Sequence, residues 1–142
     1  MVKQISIFLA NQPGMLNKAC EILAKEKIDI RALTVADTID FGLLRIITDK
    51  PDKAVAALNK GGLSAIEHEV LAVEVDDSPG GLARITGALL KAEINIEYAY
   101  AFVSRKEDNA YVVLRTDDLA RTQKVLEKAG IRIVSDKEIE SI

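Results

Sequence analysis

The sequence predicts an α+β fold in which two ferredoxin-like βαββαβ repeats, residues 1–70 and 71–142, follow each other along the chain. The first observation is internal self-similarity, since a shift of 66 residues places Pro13-Gly14 over Pro79-Gly80. Further along, a shift of 68 places Gly62 over Gly130. The second observation is the alternation of apolar residues that is typical of half-buried strands, and the third is the helical spacing that follows each Pro-Gly pair.

Periodicity and turn residues place the elements within the first repeat. Pro13-Gly14 predicts a helix start, because proline fits the first helical position, where its missing N–H would have no partner. Gly61-Gly62 suits a left-handed stop after a helix. The expected order is a strand at Ile5–Leu9, a helix carrying Leu16–Leu23, strands at Ile28–Ala36 and Phe41–Ile47 joined by a turn with Asp37 and Asp40, a helix at Lys53–Lys60, and a strand at Ala65–Val70 that runs without a linker into the second repeat.

The second repeat has the same order and two extra residues. They belong to the segment Val103–Asn109, where a loop would tolerate an insertion. A repeat of about 70 residues is marginal for a stable core, and its sheet has exposed edges. We therefore expect the repeats to lie side by side in one eight-stranded antiparallel sheet, with the helices on one face.

Composition excludes several classes of partner. The net charge is −3 and the sequence pI is about 5.3, so the chain lacks the basic excess that nucleic acids and anionic membranes require. Cys20 is the only cysteine, which excludes an intrachain disulfide and fits a reducing, cytoplasmic location. No apolar stretch approaches the length of about 20 residues that a membrane span needs.

No catalytic, metal or cofactor site is expected. His68 is the sole histidine, lies in a predicted surface strand, and has neither a second ligand nor a nucleophile beside it. Cys20 lies on the apolar stripe of its helix, as a packed thiol would. Tyr98, Tyr100 and Phe102 alternate on one face of a strand, where core packing is favoured over a pocket wall.

Other protein classes with this topology make demands that the chain does not meet. RNA-recognition domains stack bases on sheet aromatics, whereas the third strands, GLLRIIT and AYVVLRT, offer only Tyr111. Metal chaperones need a thiolate pair after the first strand, and acylphosphatases need an arginine there. The loops NQPG and DSPG supply neither.

The segments NQPGMLNKACEILAKEKIDI and DSPGGLARITGALLKAEINI resemble the signature of ACT domains, the amino-acid-sensing modules of metabolic enzymes. That signature is Asn or Asp, one residue, Pro-Gly, an apolar helix start, and then Ile-Asn-Ile or a variant at the second strand. Both repeats carry it, so the chain looks like a stand-alone tandem ACT protein. The resemblance implies a non-catalytic, homo-oligomeric regulator that binds a free L-amino acid between its repeats and acts on a metabolic enzyme or regulator. An assembly subunit without a small ligand is the alternative.

The Pro-Gly loops suit the chemistry of an amino acid, whose carboxylate needs donors and whose ammonium group needs acceptors. The helix start at each loop offers unpaired N–H groups and the positive end of the helix dipole. Gly14 and Gly80 allow close approach of the backbone. Asn11 and Asp77 precede the two turns, where a short polar side chain can cap the helix or contact a ligand.

A second pair of polar residues, Asp29 and Asn95, lies eighteen residues after the first pair. Turn chemistry alone also explains such residues, but the spacing shared by both copies favours ligand contact. In the family, ligand lies between the loop of one domain and the second strand of its neighbour, which pairs Asn11 with Asn95 and Asp77 with Asp29. Sites built within single repeats would instead each hold one amide and one acid. The predicted ligand-binding residues are Asn11, Gln12, Pro13, Gly14, Met15, Leu16, Asp29, Asp77, Ser78, Pro79, Gly80, Gly81, Leu82 and Asn95.

Overall fold

The computed structural model describes residues 1–37, 41–102 and 109–141, which form two compact units. The first unit is Lys3–Glu69, and the second is Val70–Glu140 together with Met1–Val2. The predicted turn residue Asp40 lies outside the described residues. So do residues 103–108 of the predicted insertion segment, of which only Asn109 is described.

The helices and strands follow the predicted order in both units. They are β1 (Val2–Ala10), α1 (Met15–Lys25), β2 (Ile30–Asp37), β3 (Phe41–Thr48), α2 (Pro51–Lys60), β4 (Ser64–Asp76), α3 (Gly81–Lys91), β5 (Ile96–Ala101), β6 (Asn109–Thr116), α4 (Leu119–Lys128), β7 (Ile133–Val134) and α5 (Asp136–Ser141). No helix among these residues is long and apolar enough to cross a membrane.

In the first unit, the strand order is β2-β3-β1-β4, with β1 and β3 antiparallel. Ile5 lies opposite Ile46, and Ile7 lies opposite Leu44. These four side chains are buried against both helices of the unit in one core, as the alternation in the sequence predicts. The remaining members of that core are Leu9, Ala19, Leu23, Ile28, Ala54, Leu58, Leu63 and Ala65.

In the second unit, β4 lies between β7 and β6, and β5 forms the other edge. Val73 of β4 lies opposite Val112 of β6 and Ile133 of β7. The core between this sheet and its helices includes Ile85 and Leu89 of α3 and Leu126 of α4. The helical spacing in the sequence therefore predicts the burial of Ile85 and Leu89 correctly, but Leu82, which lies on the same predicted stripe, is exposed.

The described residues contain seven strands, so the predicted eight-stranded sheet is not confirmed. The expected fourth strand of the first repeat and first strand of the second are one continuous strand, the 13-residue β4. No turn-forming residue such as glycine or proline separates the two halves, so the backbone stays extended there. The ferredoxin-like α+β character of the repeats is confirmed.

Three helix starts differ from the prediction. α1 begins at Met15 and α3 at Gly81, so Pro13 and Pro79 lie in the preceding turns rather than at the first helical position. In α2, Pro51 occupies the first turn instead, two residues before the predicted start. The predicted left-handed stop after α2 is confirmed at Gly62, whose φ is +84°.

An equivalent buried threonine in the two units differs in its hydrogen bonding. Thr116 Oγ1 lies 2.7 Å from Thr122 Oγ1, which donates to the Asp118 carbonyl at 2.7 Å. In the first unit, Ala54 stands where the second has Thr122, and the Oγ1 of Thr48 has no hydrogen-bond partner among the described residues. A buried hydroxyl without a partner costs about 1–3 kcal/mol.

Thr48→Val is expected to raise the free energy of unfolding by about 1 kcal/mol, because an isosteric apolar side chain has no hydroxyl to desolvate. The matched control, Thr116→Val, removes a formed hydrogen bond and is expected to lower it by about 1 kcal/mol. Denaturation by urea measures both. A loss of stability in Thr48→Val would contradict the assignment of an unpaired hydroxyl.

Candidate functional site

Each Pro-Gly loop forms the same tight turn. The N–H of Gln12 donates to the carbonyl of Ala10 at 2.8 Å, and the N–H of Ser78 donates to that of Asp76 at 2.8 Å. The glycine that follows is left-handed in both copies, with φ of +89° and +95°. A Cβ added to either glycine would meet nothing within 4 Å, so glycine is needed here for its backbone conformation and leaves open space beside it.

The first turn of α1 and of α3 leaves two backbone donors without an acceptor. Among the described residues, nothing accepts from the N–H groups of Leu16 and Asn17. The same holds for Leu82 and Ala83 in the second unit. In both copies the flanking donors are satisfied, as shown by the bond from the N–H of Lys18 to the Gly14 carbonyl at 2.9 Å. A helix start with free N–H groups attracts a carboxylate, because the dipole adds positive potential there.

Helix capping does not explain the polar residues of the loops. Gly14 and Gly80 occupy the N-cap positions of α1 and α3, and neither helix has a side-chain cap. Asn11 and Asp77 lie three residues earlier and are exposed, so the capping role considered for them is wrong. Gln12, Pro13, Ser78 and Pro79 are also exposed in these loops.

The two loops differ at the first helical residue. Met15 is partly buried and packs against the core of the first unit. At the equivalent Gly81, an added Cβ would overlap the carbonyl oxygen of Asp76. A cavity of about 90 Å³ adjoins this glycine, and its lining includes Arg84 and Arg132.

These two arginines belong to none of the motifs that the sequence presents. Arg84 lies 3.8 Å from the Asp76 carboxylate and donates to the Ala129 carbonyl at 3.2 Å. Arg132 pairs with Glu74 and Glu138; the hydrogen bond to Glu74, aided by the charge of Glu138, raises the pKa of Arg132. The repeat could have pointed to Arg84, because each copy has a cation four residues after the loop glycine, Lys18 in the first and Arg84 in the second.

The structure separates Asp29 and Asn95 from the loops of their own units. Ala10, which precedes the first loop, lies opposite Phe41, whereas Ile30, which follows Asp29, lies opposite Thr48 at the other end of β3. Seven residues of strand correspond to more than about 20 Å. The second unit repeats this arrangement along β6, so a site built from both groups within one repeat is excluded.

The surroundings of Asp29 also differ from those of Asn95. The Asp29 carboxylate pairs with Arg31 at 3.1 Å, and the backbone N–H of Asp29 donates to the Asp49 carboxylate at 2.8 Å. Burial raises the pKa of Asp49, but the bond from Asp29 and pairing with Lys50 outweigh this, so the pKa lies below its ordinary value. Asn95 is exposed, and Glu97 stands where the first repeat has Arg31.

The remaining residues considered from the sequence have structural positions. His68 is exposed, as predicted. Phe102 is buried, with its ring 6.3 Å from that of Tyr111, which confirms core packing there. Tyr98 and Tyr100 are half-buried and stack at 6.5 Å. No group of three or more potential metal ligands occurs in the described ranges.

Comparisons with known proteins agree with the fold. A family model described as an ACT domain pair matches residues 1–142. Protein BT0572 from Bacteroides thetaiotaomicron is 34% identical, with a TM-score of 0.92 over 99% of this chain and 96% of that one. The regulatory subunit of aspartate kinase from Thermus thermophilus, in a ligand-free form, is 18% identical, with a TM-score of 0.65 over 89% and 91% of the two chains. The regulatory subunit from Thermus flavus is also 18% identical, with a TM-score of 0.60 over 90% and 92%. These two likenesses concern the fold alone. No curated protein sequence matches the chain.

Alanine substitutions at three glycines of the second unit are expected to separate conformational from steric requirements. Gly80→Ala should lower the free energy of unfolding by about 1–2 kcal/mol, the cost of a left-handed L-residue. Gly81→Ala should lower it further, because its Cβ overlaps backbone. The control Gly87→Ala, in the interior of α3 with open space around it, should raise it by about 1 kcal/mol. Urea denaturation tests this order, and parental stability in Gly80→Ala would disprove the conformational requirement.

Proposed function

Because the chain belongs to the ACT domain family, as an ACT domain pair over residues 1–142, we propose that it binds a free L-amino acid at its Pro-Gly loops and acts as a non-catalytic regulatory protein. The observation that carries this proposal is the pair of first-turn N–H groups that lack an acceptor in both α1 and α3. A repeated arrangement of this kind is suited to a ligand carboxylate.

The ligand carboxylate accepts hydrogen bonds from the N–H groups of Leu16 and Asn17, or from those of Leu82 and Ala83. The left-handed glycine beside them keeps the approach free of side-chain atoms. Leu16 is 44% exposed and Leu82 is 47% exposed, so each loop also presents an apolar surface to the side chain of the ligand. This favours apolar amino acids as ligands.

The acceptors for the ammonium group are the polar residues that the family resemblance implies. The pairing of Asn11 with Asn95, and of Asp77 with Asp29, stays a prediction. Two carboxylates near a ligand carboxylate would repel it unless a cation intervenes. Arg31 pairs with Asp29 and reduces that repulsion without removing it, which favours the amide pairing as the tighter site.

The regulatory role is supported by the family and by the fold shared with regulatory subunits of aspartate kinase. We propose that the protein is a cytoplasmic homo-oligomer in which amino-acid binding changes contact with a metabolic enzyme or regulator. An assembly subunit that binds no small ligand is the competing function, and it predicts no response to amino acids.

Thermal unfolding distinguishes the two functions. Apolar L-amino acids are expected to raise the melting temperature, because a ligand that binds only the folded state adds about 2.7 kcal/mol at a concentration of 100 times its Kd. Nucleotides and oligonucleotides are expected to leave it unchanged. No shift with any of the common L-amino acids would reject ligand binding in favour of the assembly role.

The double variant Asn17→Asp/Ala83→Asp is expected to weaken amino-acid binding by more than about tenfold, because each added carboxylate repels the ligand at the helix start. The same charges are expected to stabilise the two helices, so the unliganded melting temperature should not fall. Ala56→Glu/Ala120→Glu is the matched control: it adds equal charge at exposed positions on α2 and α4. Calorimetric affinities that are equal in both double variants would show that the ligand binds elsewhere.

A further inference from the structure

An open groove of about 680 Å³ lies between α3 and α4 of the second unit. Small residues form much of its lining, among them Gly87, Ala88 and Ala92. A Cβ added to Gly87 would meet nothing within 4 Å. We call this feature, which is also lined by Arg84, Lys91 and Lys128, the α3–α4 groove.

The first unit fills the equivalent place with a large side chain. Ile22 stands at the position of Ala88 and packs against the core of its unit. A Cβ added to Gly61, at the end of α2, would overlap the Ile22 side chain. Ile22 therefore occupies the space between its two helices, whereas in the second repeat Ala88 and Ala129, the counterparts of Ile22 and Gly61, both line the groove.

Both helix pairs are joined by the same long-range hydrogen bond. In the first unit, Lys53 donates to the carbonyl of Glu26 at 2.8 Å. In the second, Arg121 donates to the carbonyl of Ala92 at 2.7 Å. The framework is thus retained, and the groove results from truncated side chains.

Truncation also removes negative charge. The second repeat has Gly87 and Ala92 where the first has Glu21 and Glu26. The three cations of the groove, in contrast, also have a cation at the equivalent position of the first repeat. α3 and α4 together carry five cationic side chains and one carboxylate, Glu127, in a chain whose net charge is −3. Within the described part of the chain, Lys91 and Lys128 form no ion pair. The groove therefore presents two lysines without a counterion, beside Arg84, which lies 3.8 Å from the Asp76 carboxylate.

We propose that the α3–α4 groove binds an acidic amphipathic helix of a partner protein. A floor of glycine and alanine lets a third helix approach closely, and the three cations pair with its Asp or Glu side chains. Leu90, one turn beyond Gly87 and 77% exposed, supplies an apolar contact at the edge. A nucleic acid has no aliphatic face that could pack on the glycine and alanine floor, whereas the apolar side of an amphipathic helix does. The proposal does not depend on amino-acid binding at the loops.

Fluorescence anisotropy with a labelled synthetic peptide tests the proposal on the full chain. The probe is an amphipathic helix with leucine at helical spacing and glutamate elsewhere. A scrambled peptide of the same composition, a single-stranded oligonucleotide and anionic vesicles are the comparison ligands. The amphipathic peptide is expected to bind at least about tenfold more tightly than the scrambled one.

Two variants restore first-repeat residues to the groove. Gly87→Glu and Ala88→Ile are each expected to weaken peptide binding by at least about tenfold. Gly87→Glu should remain folded, because it replaces a mid-helix glycine that has open space around it. Ala120→Glu, the charge-matched control on α4, should change the affinity by less than about twofold. Absence of peptide binding, equal binding by the scrambled peptide, parental affinity in Gly87→Glu, or preferential binding of the oligonucleotide or vesicles would overturn the proposal.

Discussion

The left-handed conformation of Gly14 and Gly80 is the constraint on which the rest of the candidate site depends. Glycine in this conformation turns the chain into the helix and has no side chain that could cap the N–H groups of the second and third helical residues. A serine or aspartate N-cap in the usual extended conformation would satisfy one of those donors and stabilise the helix by about 1 kcal/mol. Both repeats instead leave the donors free, which is a stability cost that a ligand carboxylate can offset.

The two repeats act as internal controls for each other, because the same backbone carries different side chains. The first repeat fills its interior with Met15 and Ile22, whereas the second has Gly81 and Ala88, and with them a cavity and a groove. The second repeat also has a buried hydrogen bond between Thr116 and Thr122. The first repeat therefore supplies more of the apolar packing, and the second presents more open, cationic surface. This division of roles suits a regulatory module that must be stable and also make contacts.

Local patterns in the sequence predict those features of the fold that depend on residues close together along the chain. Alternation at Ile5, Ile7 and Leu9 placed a strand and its buried face correctly, and Gly62 marked a helix end. The prediction that Pro13 occupies the first helical position is wrong. Gly14 is the N-cap, so Pro13 lies in the turn before the helix. The eight-stranded sheet is not confirmed, because two expected strands without a linker between them form one continuous strand. The separation of Asp29 from its own loop, and the approach of Arg132 to Gly81, depend on strand register and tertiary packing, which no spacing along the chain encodes.

We propose that free backbone donors at two helix starts hold the carboxylate of an amino acid. Amide chemical shifts report on those donors directly, since an N–H that gains a charged acceptor moves downfield. In a titration with the amino acid that gives the largest thermal stabilisation, we expect downfield shifts of the amide protons of Leu16 and Asn17, of Leu82 and Ala83, or of both pairs. Saturable binding that leaves all four amides unshifted, with perturbations confined to other elements, would contradict it.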